Sequence, residues 1–212
     1  MPLLFEPNKK LLFMGDSITD AGRRDVAIPY GSGYVNTVRN FLIARYPTLN
    51  LAMVNRGING NTVRDLSSRW ETDAIQERPH YLSVCVGIND VWRQFSGDKA
   101  TAVPLEDYQT TLRRLLKRAV DSGVGTLILM TPFVIEPNKN DPLRKMMDSY
   151  GAAVATLATE FKARFINLQA AWDNATKYTV PQVWSADKFH PNAAGAAVIA
   201  QAFLRAVGYE LA

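Results

Sequence analysis

Five short apolar runs, rich in branched and bulky side chains and closed by turn residues, recur along this chain at Leu11–Met14, Leu51–Val54, Tyr81–Val86, Thr126–Met130 and Phe165–Leu168. Runs of that length and composition read as strands. Between them lie longer stretches whose apolar residues are spaced for a helix, such as Val35, Val38, Leu42 and Ile43, or Tyr108, Leu112, Leu115, Leu116 and Ala119. When a helix separates each strand from the next, the strands are joined by right-handed crossovers and pair in parallel, with helices covering both faces. The expected fold is therefore α/β, a three-layer α/β/α sandwich around a five-stranded parallel sheet.

No repeat, low-complexity tract or long linker interrupts this alternation, so residues 1–212 are expected to form one domain. A chain of 212 residues buries roughly 70% of its unfolded surface, enough for one sizeable core. Its 47% hydrophobic and 21% charged residues match ordinary globular usage and exclude a disordered or fibrous class. The net charge is +4, but the basic residues are interleaved with acids. The densest basic stretch, Arg113, Arg114, Lys117 and Arg118, follows Glu106 and Asp107 and reads as a solvated helix face, so no nucleic-acid partner is expected. The first ten residues lack the pattern of an export signal, and no apolar run approaches the roughly 20 residues that cross a bilayer. Cytoplasmic residence without a membrane partner is the expectation. Cys85, the single cysteine, lies inside an apolar run and reads as a small buried hydrophobe.

In open parallel sheets, ligands bind beyond the carboxyl ends of the strands. The loops expected there are polar and carry glycine: Gly15-Asp16-Ser17-Ile18-Thr19, then Gly57-Ile58-Asn59-Gly60-Asn61-Thr62, then Gly87-Ile88-Asn89-Asp90. A fourth, Ser185-Ala186-Asp187-Lys188-Phe189-His190-Pro191, precedes the last helical pattern and can reach the same rim. A serine hydroxyl becomes a useful nucleophile only when a base takes its proton, and histidine, with an unperturbed pKa of about 6.5, suits the task. Of two histidines, His80 precedes the third strand and falls at the opposite end of the sheet, which leaves His190. Asp187, three residues earlier, can fix its tautomer. The same Asp-x-x-His pair could ligate a metal, yet no second histidine or acidic cluster completes a shell, so no metal is expected. Developing negative charge on an acyl oxygen needs preset donors. Three candidates are the N–H of Ser17, the N–H of Gly60, where the missing β-carbon allows close approach, and the Asn89 side-chain amide. Each of the last two also has a plain reading, as a turn glycine and a turn or cap residue.

These four blocks, Gly-Asp-Ser-Ile-Thr at 15–19, Gly60, Gly-x-Asn-Asp at 87–90 and Asp-x-x-His-Pro at 187–191, resemble the SGNH or GDSL hydrolases. No Gly-x-Ser-x-Gly elbow of the α/β-hydrolase type occurs. The resemblance implies a flavodoxin-like sandwich, Ser17, Asp187 and His190 as catalytic residues, and Ser17, Gly60 and Asn89 as oxyanion hole. A narrower likeness, in Asn55–Leu66, Gly87–Gln94 and Met130–Phe133, is to the intracellular acetyl-xylan esterases. That branch implies deacetylation of xylo-oligosaccharides, no cofactor and a homo-oligomer. Asp16, Trp92 and Trp184 are expected to contact substrate. For Asp16, and for Asp90, bonding to loop backbone is the competing role; for Trp92 it is core packing. Phe189 joins Trp184 as a bulky residue beside the pocket. The alternatives to a short-chain carbohydrate esterase are a lipid-ester or thioester hydrolase on the same scaffold, a carbohydrate-binding module without turnover and, by fold analogy alone, a nucleotide binder.

Overall fold

The structure is a computed structural model, which describes residues 2–97 and 100–210. Its five strands, β1 (Lys10–Gly15), β2 (Ala52–Gly57), β3 (Tyr81–Cys85), β4 (Thr126–Met130) and β5 (Arg164–Ile166), form one parallel sheet in the order β2-β1-β3-β4-β5. Among the described residues eight α-helices accompany it: α1 (Ser17–Asp20), α2 (Tyr34–Arg45), α3 (Val63–Trp70), α4 (Ile88–Trp92), α5 (Leu105–Asp121), α6 (Pro142–Glu160), α7 (Leu168–Ala175) and α8 (Ala193–Ala206). The α/β sandwich expected from the alternation is the observed one.

Strand side chains alternate between the two faces, and this sorts the apolar runs into two core layers. Leu12, Met14, Leu82, Val84, Leu127 and Leu129 pack beneath α3, α5 and α6 with Leu66, Trp70, Leu116, Met147 and Leu157. Leu11, Phe13, Cys85, Ile128, Met130 and Ile166 pack beneath α2, α7 and α8 with Val38, Trp172, Ile199 and Phe203. Each fully buried side chain of this kind contributes about 1.5–3 kcal/mol of transfer free energy. Burial on both faces explains why the strands read as continuous apolar runs rather than alternating ones.

Four of the five strands differ from expectation at one end or both: the first runs one residue further each way, the third stops at Cys85, and the fifth starts at Arg164. The fifth run ends as a strand at Ile166, because the Asn167 side chain accepts the N–H of Ala170 and starts α7, so Leu168 becomes a buried helical residue. The second strand begins one residue later and runs to Gly57. His80 lies at the amino end of the sheet, where its Nδ1 accepts the N–H of Lys10 at 3.0 Å. On α5, Arg113, Lys117 and Arg118 pair with Glu160, Asp121 and Glu71, exposed ion pairs worth little individually. No helix among the described residues is long and apolar enough to cross a membrane.

Candidate active site

Register places the first three loops level with one another: Gly15 pairs with Gly57 on one side and with Cys85 on the other. Position 57 has to be glycine, because a β-carbon there would come within 2.2 Å of the Asp20 amide nitrogen, where α1 crosses the end of β2. The Asp16 carboxylate caps α1 by accepting the Ile18 N–H at 3.0 Å, and Ser17 follows as the first helical residue.

The fourth loop reaches the same rim. A bridge between Ser185 and Pro191 closes it, and the Asn192 side chain caps α8 immediately afterwards by accepting the Gly195 N–H at 3.0 Å. Ser17 Oγ lies 3.0 Å from His190 Nε2, and His190 Nδ1 lies 2.6 Å from Asp187 Oδ2. The other oxygen of Asp187 accepts the Ser185 hydroxyl and the N–H groups of Phe189 and His190 at 2.8–2.9 Å. Partial burial by itself would raise the Asp187 carboxyl, but these donors hold it well below the usual carboxylate range. An ionised carboxylate only accepts, so Nδ1 carries the ring proton and Nε2 offers its lone pair to the serine hydroxyl. The loop is anchored from outside as well: Ile135 donates its N–H to the Lys188 carbonyl at 2.9 Å, and the Lys188 ammonium pairs with Glu136. Sequence reading missed Glu136; its only signal was an acid shortly after the fourth strand, on the rim side.

Gly60 has φ +80°, a left-handed conformation that glycine adopts without penalty. A β-carbon there would meet only Arg93 Nη2, at 3.9 Å, so within the protein the backbone angle rather than crowding calls for glycine. Arg93 donates to the Gly60 carbonyl at 2.7 Å, and Asn89 donates one amide hydrogen to the Asn61 carbonyl at 3.0 Å. Arg69 ties this corner together, donating to the carbonyls of Gly15 and Arg56 and to Asn61 Oδ1. Among the described residues the N–H groups of Ser17 and Gly60 have no acceptor. Asn61, Arg69 and Arg93 were not singled out in the sequence, because nothing in an isolated arginine or asparagine marks it as a brace.

Two expected substrate contacts are corrected. Asp16 is 1% exposed and spends its carboxylate on the start of α1, so the backbone role prevails. Trp184 packs against Trp172 with centroids 6.4 Å apart, donates its ring N–H to Thr179, and lines a separate cavity between α7 and α8. Trp92 is no core residue: it is 41% exposed and packs on Phe189 at 4.9 Å, joining α4 to the His190 loop, although it lines neither cavity at Ser17. Burial pushes the Asp16 and Asp90 carboxyls up to about 7 each. One oxygen of Asp90 accepts the Val63 N–H at the start of α3; the other is buried without a partner among the described residues.

Two cavities open at the Ser17–His190 pair. One, of about 280 Å³, is walled mainly by Ile18, Tyr34, Pro191, Ala196 and Ile199. The other, of about 330 Å³, is walled by Asp20, Gly22, Arg24, Asp25 and Asn59. No group of three or more potential metal-ligating side chains occurs among the described residues.

Residues 13–198 match the GDSL-like lipase/acylhydrolase family. An acetylxylan esterase of Geobacillus stearothermophilus is 45% identical over 95% of each chain. The crystal structure of that organism's acetylxylan esterase Axe2 superposes with a TM-score of 0.95 at 44% identity, covering 98% of both chains. Similar agreement is found for catalytic mutants of Axe2 in which alanine replaces a serine, an aspartate, or a histidine three residues after that aspartate. An α/β hydrolase enzyme, LAE5, from the metagenome of Lake Arreo matches with a TM-score of 0.94 at 40% identity, over 98% of this chain and 99% of that one.

Proposed function

This chain belongs to the GDSL-like lipase/acylhydrolase family and is a carboxylic ester hydrolase, and from that premise we propose that it deacetylates acetylated xylo-oligosaccharides through Ser17, His190 and Asp187. The observation that carries the reading is the hydrogen-bonded relay from Ser17 Oγ to His190 Nε2 at 3.0 Å and from His190 Nδ1 to Asp187 at 2.6 Å. The spacing of the aspartate and histidine altered in the Axe2 catalytic mutants, three residues, is also that of Asp187 and His190.

In the first half-reaction His190 Nε2 takes the Ser17 proton as Oγ bonds to the ester carbonyl carbon. The oxyanion is met by the N–H groups of Ser17 and Gly60 and by the Asn89 amide. Collapse breaks the bond to the alcohol oxygen, which leaves with the proton from His190, and acetyl-Ser17 remains. Water then gives a proton to His190 and attacks the acetyl carbon; acetate departs as the proton returns to Ser17 Oγ. No step requires a cofactor. Trp92, half-exposed against Phe189, supplies an aromatic rim on which a sugar face can stack.

The test is acetate release from acetylated xylo-oligosaccharides beside hydrolysis of p-nitrophenyl acetate and p-nitrophenyl octanoate, with Ser17→Ala as control. Rapid sugar deacetylation, slow octanoate turnover and no acyl-enzyme in Ser17→Ala are expected. Faster octanoate hydrolysis with negligible acetate from the sugar would move the function to lipid esters, and full activity in Ser17→Ala would end the mechanism.

A further inference from the structure

An ester attacked at Ser17 has two arms diverging from one carbonyl carbon, and two cavities of opposite chemistry meet at the Ser17–His190 pair. The cavity between α1, α2 and the start of α8 is lined by Ile18, Ala21, Tyr34, Ala196 and Ile199 and suits a short hydrocarbon. The other is bounded by Asp20, Arg24, Asp25 and Asn59. Its wall is a built one. Arg23 Nε donates to the Gly57 carbonyl at 2.7 Å, and Asn55 donates to the carbonyls of Thr19 and Tyr30, so the segment after α1 is fastened to the end of β2 at both of its ends. The Asp20 carboxylate, almost fully buried, receives the Asn59 N–H at 2.9 Å and Arg24 Nη2 at 3.0 Å, which fixes Arg24 and Asn59 side by side.

Much hydrogen-bonding capacity is left over. Arg24 uses one of its five N–H donors on Asp20. Among the described residues Asp25 accepts only the adjacent Val26 N–H, at 2.7 Å. The Asn59 side chain is exposed and has no protein partner among the described residues. A fixed guanidinium, a carboxylate and an amide within one cavity match a surface of neighbouring hydroxyls, each of which donates and accepts, far better than a hydrocarbon or an aromatic alcohol.

We propose that Arg24, Asp25 and Asn59 form the subsite for the alcohol portion of the ester, selecting polyhydroxylated alcohols, while the acyl group enters the apolar cavity on the opposite side of Ser17. This assignment rests on the reading of Ser17 as the nucleophile and says which side of it each arm occupies. Selection acts through binding energy that reaches the transition state, so it is expressed in kcat/KM for esters that share an acyl group and differ in the alcohol.

The experiment compares kcat/KM for an acetylated xylo-oligosaccharide and for p-nitrophenyl acetate in the wild type, Arg24→Ala and Asp25→Ala. Each substitution is expected to lower the sugar-to-nitrophenyl ratio at least tenfold. A ratio that stays constant in both variants overturns the subsite. Asp25→Ala gives up only one local backbone bond, so it keeps the test usable if Arg24→Ala does not fold. If the wild type releases no acetate from the sugar, the xylan reading has failed on its own; the same ratio, taken with glycerol triacetate, then decides the polyol subsite separately.

Discussion

Asn89 gives one amide hydrogen to the Asn61 carbonyl, and the second has no acceptor among the described residues. In the oxyanion role proposed for it, a donor fixed in this way costs little to reorganise when charge appears on the acyl oxygen, so its bond would strengthen mainly in the transition state. Asn89→Ala is expected to lower kcat roughly 10²–10³-fold with KM little changed, measured by steady-state kinetics on p-nitrophenyl acetate. A loss confined to KM would place Asn89 in ground-state binding instead. The residues proposed to carry proton transfer were readable because chemistry restricts them: of two histidines one stands at the right end of the sheet, and an acid lies three residues before it. Asp16 and Trp184 misled for a shared reason. Proximity in sequence to Ser17 or His190 says nothing about which way a side chain points, and Asp16 turns into the start of α1 while Trp184 turns toward Trp172.

At the scale of elements, α8 is what brings the His190 loop into place. Its first turn is capped by Asn192, two residues after His190, and its buried face, with Ile199 and Phe203, packs on the α2 side of the sheet. Asn192→Ala removes the side-chain acceptor of the Gly195 N–H and is expected to cost about 1 kcal/mol of stability, read as a lower urea midpoint at unchanged slope. A midpoint equal to wild type would mean that water replaces the cap. The strands were legible because burial on both faces leaves continuous apolar runs. Helix faces were legible only in part: Ile43 has helical spacing with Val35 and Leu42 but is 48% exposed. The segment joining α1 to α2 left no periodic signal, since tethers such as Arg23 to Gly57 and Asn55 to Tyr30 hold it rather than an apolar face.

For the molecule as a whole, stability depends on pH through the buried acids. Asp16 and Asp90 are pushed up to about 7 by burial in the folded chain, against about 3.9 when unfolded. Between roughly pH 4 and 7 the folded chain therefore binds more protons than the unfolded one, and these two groups make stability rise as pH falls through that window. Asp187 and Glu136, held below the usual range, act in the opposite sense: their contribution is present above the unfolded carboxylate pKa and is lost on stronger acidification. Asp90→Asn, which keeps an acceptor for Val63 and removes the charge, is expected to raise the melting temperature at pH 8 and to flatten its rise toward pH 5.5, followed by calorimetry. An unchanged slope would show that Asp90 is not a source of the dependence. The bond between Ser17 and His190 spans 173 positions of sequence and closes across a sheet made wholly of parallel, non-local pairings. On the proposed mechanism the serine leaves the ribosome long before its base exists, so an incomplete chain would be chemically silent toward esters. On the same mechanism, recovered turnover would report that the His190 loop has met Ser17, and so becomes a clock for a late, non-local step of folding.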